Sequence, residues 1–368
     1  MLNLWHPSSL LQQEWLNIIR THAANAEKTG MLTQEQTNLL YNQRWLKLLA
    51  PSRYNGIEMD LPEVIKLEEA LAWADGSLGW VVTLCTGAGW FGGFMEPELA
   101  KEILTDEKAC LAGSGAVTGT AEKTGNRYLI NGKWLYASGA TIATAFTANC
   151  KITENGNIIQ DNHGNPLVLP FVFYKNEVNI LDTWNAMGMV ATASHAFEVK
   201  NLSVPADRVF RIDSSAAKSN GALYNYPFLQ LAETTLAANI SGMALHFIDE
   251  CETLFTIKNS RQGTPLINDT KVHETLKQAK HQLSEARMTF YNLVELSWKN
   301  CVTNSKIDNA TLTKISSAAH ALAEAARQNI DYLYPYCGLS ETNKDSVINR
   351  IWRDLHTASQ HSLLVFGA

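Results

Sequence analysis

The apolar residues of this chain change period twice, and that change restricts the fold more than any single motif. Up to about residue 108 they recur at helical spacing. Leu10, Leu11, Trp15, Ile18 and Ile19 follow Ser8 and Ser9, either of which can cap a helix. Thr33 and Gln36 have the spacing of a capping box, for a second helix that ends before Pro51. Pro62 suits the first turn of a third helix through Glu68, Glu69 and Trp73, and Asp75-Gly76-Ser77 breaks it. Residues 78–94 are uncharged and rich in glycine and aromatic side chains. They read as a closely packed core helix, and equally as a wall of a substrate pocket, with Trp90 and Phe91 as its candidate residues.

The period then becomes that of strands. Short extended runs at 110–112, 128–131, 134–138, 143–151, 167–174, 178–184 and 196–202 are separated by Gly, Asn, Asp or Pro. Seven runs at this spacing predict a compact sandwich or barrel. Residues 154–166 read as a surface loop, and Val204-Pro205-Ala206 closes the block. From about residue 222 the helical period returns. One long helix covers 228–258, and a second starts at Asp269 or Thr270 and reaches about 300. A third starts at Asp308 or Asn309 and ends at Pro335 and Gly338. It carries a small-residue face of Ala318, Ala319, Ala321, Ala323, Ala325 and Ala326, suited to tight packing or to an oligomer contact. A last helix covers about 346–364. Helices of this length predict a four-helix bundle. The expected fold is mainly α with an inserted β domain: a helical domain over 1–108, a β-barrel or sandwich over 109–212, and a four-helix bundle over 213–368.

Composition narrows the function classes. Net charge is −6 with no long run of Lys or Arg, so nothing recruits nucleic acid or an anionic membrane. The six cysteines have no CxxC spacing, so neither a metal site nor a disulfide framework is expected. They read as buried thiols in a reducing compartment. With no secretory pattern at the start and no apolar run of membrane-spanning length, a cytoplasmic protein is expected.

The densest local signal is residues 131–139, N-G-K-W-L-Y-A-S-G, after the extended run Tyr128, Leu129, Ile130. Asn131-Gly132 reads as a hairpin turn. Trp134 and Tyr136 then alternate with Leu135 and Ala137, which puts both aromatics on one strand face. Ser138-Gly139 ends the strand with a hydroxyl and a residue that lets a ligand approach the backbone. This is one wall of a site for a flat, hydrogen-bonding ligand, or an ordinary aromatic face on a core.

A β domain between two helical blocks is uncommon, and over essentially its full length the chain resembles the acyl-CoA dehydrogenase fold superfamily. The family's Asn-Gly-x-Lys-x-Trp-Ile-Thr aligns without gaps on 131–138, and A-E-K-T-G-N-R-Y-L-I-N-G ahead of it is also similar. The resemblance implies a flavin, FMN or FAD, against Trp134, Tyr136 and Ser138, with Ser114 nearby. Ser138 takes the slot of a threonine beside the flavin ring and is expected to donate a hydrogen bond to it. Residues 182–195, D-T-W-N-A-M-G-M-V-A-T-A-S-H, resemble the family's last β segment and offer Thr192 and Ser194 to the substrate pocket. S-R-Q-G-T-P at 260–265 resembles the segment whose arginine, here Arg261, meets the flavin diphosphate, often across a subunit interface. A homotetramer, a dimer of dimers, is implied.

Departures from the pattern point to a branch. The family's usual glutamate base lies near the C-terminus, where this chain reads R-D-L-H-T-A-S-Q-H-S-L-L without an acid at that place. The alternative base position falls on Ala232, one residue from Glu233. The glycine-rich segment that helps hold a dinucleotide is reduced to Cys337-Gly338. The flavin-dependent monooxygenases that take reduced flavin from a separate reductase resemble the chain better, in W-x-[FY]-x-S-G at 134–139 and in R-x-W-R-D followed by His361. Oxygenation needs a dry pocket and hydrogen-bond donors rather than a strong carboxylate base. Arg350, Asp354, Thr357 and His361 are expected on one face of the last helix, with His361 the catalytic candidate and His356 about 140° away. The expected function is a flavin-dependent monooxygenase acting on a small organic substrate. The alternatives are an acyl-CoA dehydrogenase-type enzyme using Glu233, and a non-catalytic ligand-binding member.

Overall fold

A computed structural model describes residues 4–260 and 262–365. The first block contains α1 (Gln13–Thr29), α2 (Gln34–Asn42), α3 (Leu61–Ala74), α4 (Gly76–Trp90) and α5 (Pro97–Leu104). Thr33 and Gln36 form the expected capping box on α2. Ser8 and Ser9 cap nothing; they lie in a 3-10 turn, and α1 begins four residues later. Asp75 breaks α3 from α4 by leaving helical geometry, and its carboxylate accepts the Leu78 N–H at 2.9 Å.

Seven strands follow: β1 (Leu111–Thr124), β2 (Arg127–Ala137), β3 (Ala145–Glu154), β4 (Asn157–Ile158), β5 (Val168–Tyr174), β6 (Asn179–Leu181) and β7 (His195–Pro205). They form one mixed sheet in the order β4-β3-β1-β2-β7-β6, with β5 also on β3 and, among the described residues, only β1–β3 parallel. The sheet curls over its own core. Trp134 of β2 meets Phe173 of β5, and Phe146 of β3 meets Phe197 of β7, although neither pair lies on adjacent strands.

Two expectations about β2 fail, one by the placement of the hairpin and one by a bulge. Asn131-Gly132 is not a turn, because β2 runs straight through it and the hairpin is made at Gly125, with φ +60°. Gly132 is needed for packing: a Cβ there would lie 2.5 Å from the Trp134 ring, and one at Gly119 would lie 2.2 Å from it. Nor do Trp134 and Tyr136 share a face. Trp134 pairs with Phe197 and Ala137 with His195, so β2 has one extra residue here, and Tyr136 takes φ +65°. The bulge turns Trp134 into the core, 0% exposed, and leaves Tyr136 67% exposed.

The last block contains α6 (Ala222–Asn225), α7 (Phe228–Ile257), α8 (Thr270–Asn304), α9 (Asn309–Cys337), α10 (Val347–Ala358) and α11 (Ser362–Val365). Asp269 and Asp308 cap α8 and α9 as expected. Ala318, Ala319, Ala323 and Ala326 are buried within the chain, so this part of the alanine face serves packing. α7 passes so close to α3 that a Cβ at Gly242 would lie 2.2 Å from the Glu69 carbonyl oxygen. The buried Glu69 carboxylate accepts hydrogen bonds from Arg287 of α8 and Ser241 of α7, joining the first block to the bundle. The expected last helix is broken. The 359–361 turn closes with Gln360 N–H to Thr357 O and His361 N–H to Ala358 O, so His361 is not on the helical face of Arg350 and Asp354.

Candidate functional site

The site is built on α4. Most of this helix is buried, but Leu84, Gly87 and Phe91 at its end are half-buried, and Trp80 is in line with them. At 100° per residue these four fall within about 60° of one another. The strip runs along about 16 Å of helix. One flank of α4 packs on the loop after β2, where a Cβ at Gly139 would meet Cys85 at 2.7 Å and Val81 at 3.5 Å. The other flank packs on α7, through Asn239 to Thr83 at 3.3 Å and Phe228 against Trp90. The strip is therefore the open side of α4 between the β sheet and the bundle, the candidate floor of a substrate cleft. His361 closes one end, its ring 6.0 Å from that of Trp80. Phe210 and Phe228 close the other, 5.3 and 5.5 Å from Phe91.

A chain of hydroxyls begins under Trp80. Its indole N–H donates to Ser138 Oγ at 3.1 Å; Ser138 and Ser194 hydroxyls are 2.8 Å apart, and those of Ser194 and Thr192 2.6 Å. Thr192 Oγ1 donates to the Met189 carbonyl at 2.7 Å. Each hydroxyl has one proton, and a carbonyl only accepts, so the direction of every link follows. Thr192 gives its proton to Met189, Ser194 gives to Thr192, and Ser138 gives to Ser194. In this arrangement the Ser138 proton is committed to Ser194, and its Oγ, which accepts the Trp80 N–H, keeps one lone pair; the sequence reading expected a donor here.

The motif before His361 holds this chain in place. Asp354 of α10 accepts the Met189 N–H, and Arg353 donates to the Met187 carbonyl at 2.7 Å and to Glu27 at 2.5 Å. Gly188 lets the loop touch α10, since a Cβ there would lie 2.2 Å from the Arg353 backbone. Burial, and then the nearby Asp75 charge, push the Asp354 carboxyl up to about 7. Burial lowers the pKa of His361, so its imidazole is neutral near pH 7. The Cys85 thiol, hydrogen-bonded with Cys110 and buried, lies well above its usual range and is a poor nucleophile.

Of the residues singled out by sequence, Ser138, Thr192, Ser194 and His361 meet around Trp80. Tyr136 lies two residues before Ser138, its ring edge-on to Trp184 at 6.0 Å. Ser114 is half-buried at the start of a bulge on β1, where Asn149 donates to the Gly115 carbonyl. Two residues are misassigned as walls. Trp134 is enclosed between Phe173 and Phe197 and gives its N–H to the Asn149 carbonyl. Trp90 is turned off the open strip, 1% exposed, and gives its N–H to the Leu223 carbonyl. Phe91 alone of that pair faces the cleft. Arg261 lies outside the described residues. Glu233 is buried against α9, accepting from Ser316 at 2.5 Å with His320 at 3.4 Å. Sequence reasoning missed Trp80 and Gly87, although their spacing to Phe91 was a readable signal.

Residues 234–366 match the family model described as acyl-CoA dehydrogenase, C-terminal domain. An experimental structure of XiaF from Streptomyces sp., in complex with FADH2 and glycerol, superposes with a TM-score of 0.87 at 19% identity, over 95% of this chain and 89% of that one. The chain has the acyl-CoA dehydrogenase fold. Relatives by sequence include proteins named as monooxygenases. Indole-3-acetate monooxygenase of Pseudomonas putida is 25% identical over 86% of this chain and 80% of its own length. The flavin-dependent monooxygenase, oxygenase subunit HsaA, of Mycobacterium tuberculosis is 24% identical over 94% and 88%. Among the described residues no helix is long and apolar enough to cross a membrane.

Proposed function

We propose that this protein is the oxygenase component of a two-component monooxygenase, taking reduced flavin from a separate reductase and using dioxygen to oxygenate a small organic substrate. The polarity of the hydroxyl chain carries the reading. Ser138 offers an acceptor, which suits a ligand N–H; reduced flavin carries an N–H at the central ring position where oxidised flavin has an acceptor. Tyr136 supports the fit, since its exposed ring on a strained bulge is free to lie against a flat ligand. Tyr136 and Ser138 would hold the flavin ring, with Ser114 on the same side. Bound reduced flavin would supply the two electrons that activate dioxygen. The protein's own part is to keep the cleft dry with Trp80, Leu84 and Phe91, to orient the ring through Ser138, and to present the neutral His361 imidazole as a proton donor or acceptor.

A dehydrogenase reading finds less support, because Glu233 is engaged with Ser316 and His320 inside the bundle. Incubation with NADH, a generic flavin reductase and a panel of aromatic compounds under isotopically labelled dioxygen tests the proposal. One labelled oxygen atom in a product is the expected result. Desaturated product, or oxygen uptake that yields only peroxide with every compound, would reject it.

A further inference from the structure

The floor of the cleft contains a glycine with no packing reason to be there. A Cβ at Gly79 of the same helix would lie 2.6 Å from the Ala72 backbone, and one at Gly242 of α7 would strike Glu69, so close helix approach accounts for both. At Gly87 nothing lies within 4 Å. Glycine inside a helix is less stable than alanine, so an unpacked one in mid-helix calls for another cause. Gly87 occupies the open strip of α4 between Leu84 and Phe91, and the flanks of the helix beside it are occupied by the β2 loop and by α7.

We propose that Gly87 sets the substrate specificity of the cleft, leaving a flat slot between Leu84 and Phe91 for an uncharged planar aromatic ring. The side chains of the floor and of its far end, Trp80, Leu84, Phe91, Phe210 and Phe228, have no charge. At the near end His361 is neutral, since burial disfavours its protonated form. A carboxylate-bearing compound entering between Leu84 and Phe91 would lose water and meet only uncharged side chains on the floor, whereas a neutral ring gains from the same dehydration. The inference rests on the cleft being the substrate side of the proposed oxygenase, but its test reads binding alone, so a failure of oxygenation leaves it intact.

Calorimetric titration of the full chain with indole and with indole-3-acetate compares one ring with and without a carboxylate. Indole is expected to bind roughly tenfold more tightly or better, the ratio of about one unpaired polar contact. Gly87→Leu is expected to weaken indole binding roughly tenfold or more by filling the slot. Gly87→Ala, whose Cβ meets nothing, should weaken it by a smaller factor while raising Tm by about 1–2 °C, and it carries the test if the leucine variant does not fold. Unchanged indole affinity in the variants, equal affinity for the two compounds, or no detectable indole binding to the wild-type protein would overturn the proposal.

Discussion

Ser138 and His361 are where single residues decide the chemistry. Ser138→Ala should weaken reduced-flavin binding several-fold, the effect of a contact of about 1 kcal/mol, without unfolding the protein. Thr192→Val should act differently. It removes the hydroxyl that commits Ser194 and Ser138 to one direction, so the ratio of reduced to oxidised flavin affinity should shrink. Anaerobic titration with each flavin state measures both; identical ratios in wild type and Thr192→Val would show that the chain's polarity is irrelevant. His361→Ala should lower coupled product formation by roughly 10²-fold, the usual cost of a lost acid–base group, with reduced flavin in excess. His356 supplies the contrast. Its Nε2 lies 2.8 Å from Asp331 Oδ1 and its ring packs on Trp352, so it ties α10 to α9. His356→Ala should leave turnover per folded molecule unchanged and cost about 1–2 kcal/mol of stability in denaturant melts. Turnover of His361→Ala equal to wild type would remove that residue from the mechanism.

At the scale of elements, α10 works as a clamp. Its Arg353-Asp354 pair grips the 187–189 segment, from which Thr192 and Ser194 continue the hydroxyl chain. The sequence pairs R-x-W-R-D with His361, which invites the view that the whole motif is catalytic; the structure gives its Arg and Asp a positioning task. The titration of Asp354 gives a test. Its pKa is about 7 in the folded protein, above an ordinary carboxylate, so the folded state binds the extra proton between those values. Stability from this group is complete at acid pH and falls as pH rises towards 7, with a slope of at most about 1.4 kcal/mol per pH unit. His361 and His246, both lowered by burial, act in the opposite sense, adding stability as pH rises to their unfolded value. The difference between wild type and Asp354→Asn isolates the carboxyl. The asparagine can still accept the Met189 N–H, and its advantage over wild type should grow from pH 5 to about 7 and then level. A difference independent of pH would place the Asp354 pKa elsewhere.

For the whole molecule, assembly is the open prediction. One of the three motives read from sequence, beside the resemblance and Arg261, changes character, because Ala318, Ala319, Ala323 and Ala326 of α9 are spent inside the bundle. A different one replaces it. Ile257 is 73% exposed and Leu339 86% exposed, at neighbouring ends of α7 and α9 that Lys258 joins through the Cys337 carbonyl and Ser340. Bare apolar side chains clustered at a bundle end suit a subunit contact. We expect a homotetramer by light scattering at micromolar concentration, and a smaller species from the double variant Ile257→Asp, Leu339→Asp. A wild-type monomer would refute the assembly.

The order of helical, β and helical blocks, the caps at Thr33, Asp269 and Asp308, and the kinship with flavin monooxygenases were all legible in the sequence. The blocks and the caps depend on neighbours a few residues apart, where periodicity and hydrogen-bonding propensity act directly, and the kinship rests on the resemblance of residues 134–139 and 350–361 to that branch. The candidate site was legible only as a set of names. A bulge at Tyr136 separated two aromatics that alternation had paired, and tightening at the end of α10 took His361 off the helix. The contacts that make the site join residues far apart in the chain: Trp80 to Ser138 across 58 positions, Ser138 to Ser194 across 56, and Asp354 to Met189 across 165. No local rule reaches that far, and neither the direction of the hydroxyl chain nor the empty space beside Gly87 exists until the sheet, α4 and α10 are packed together.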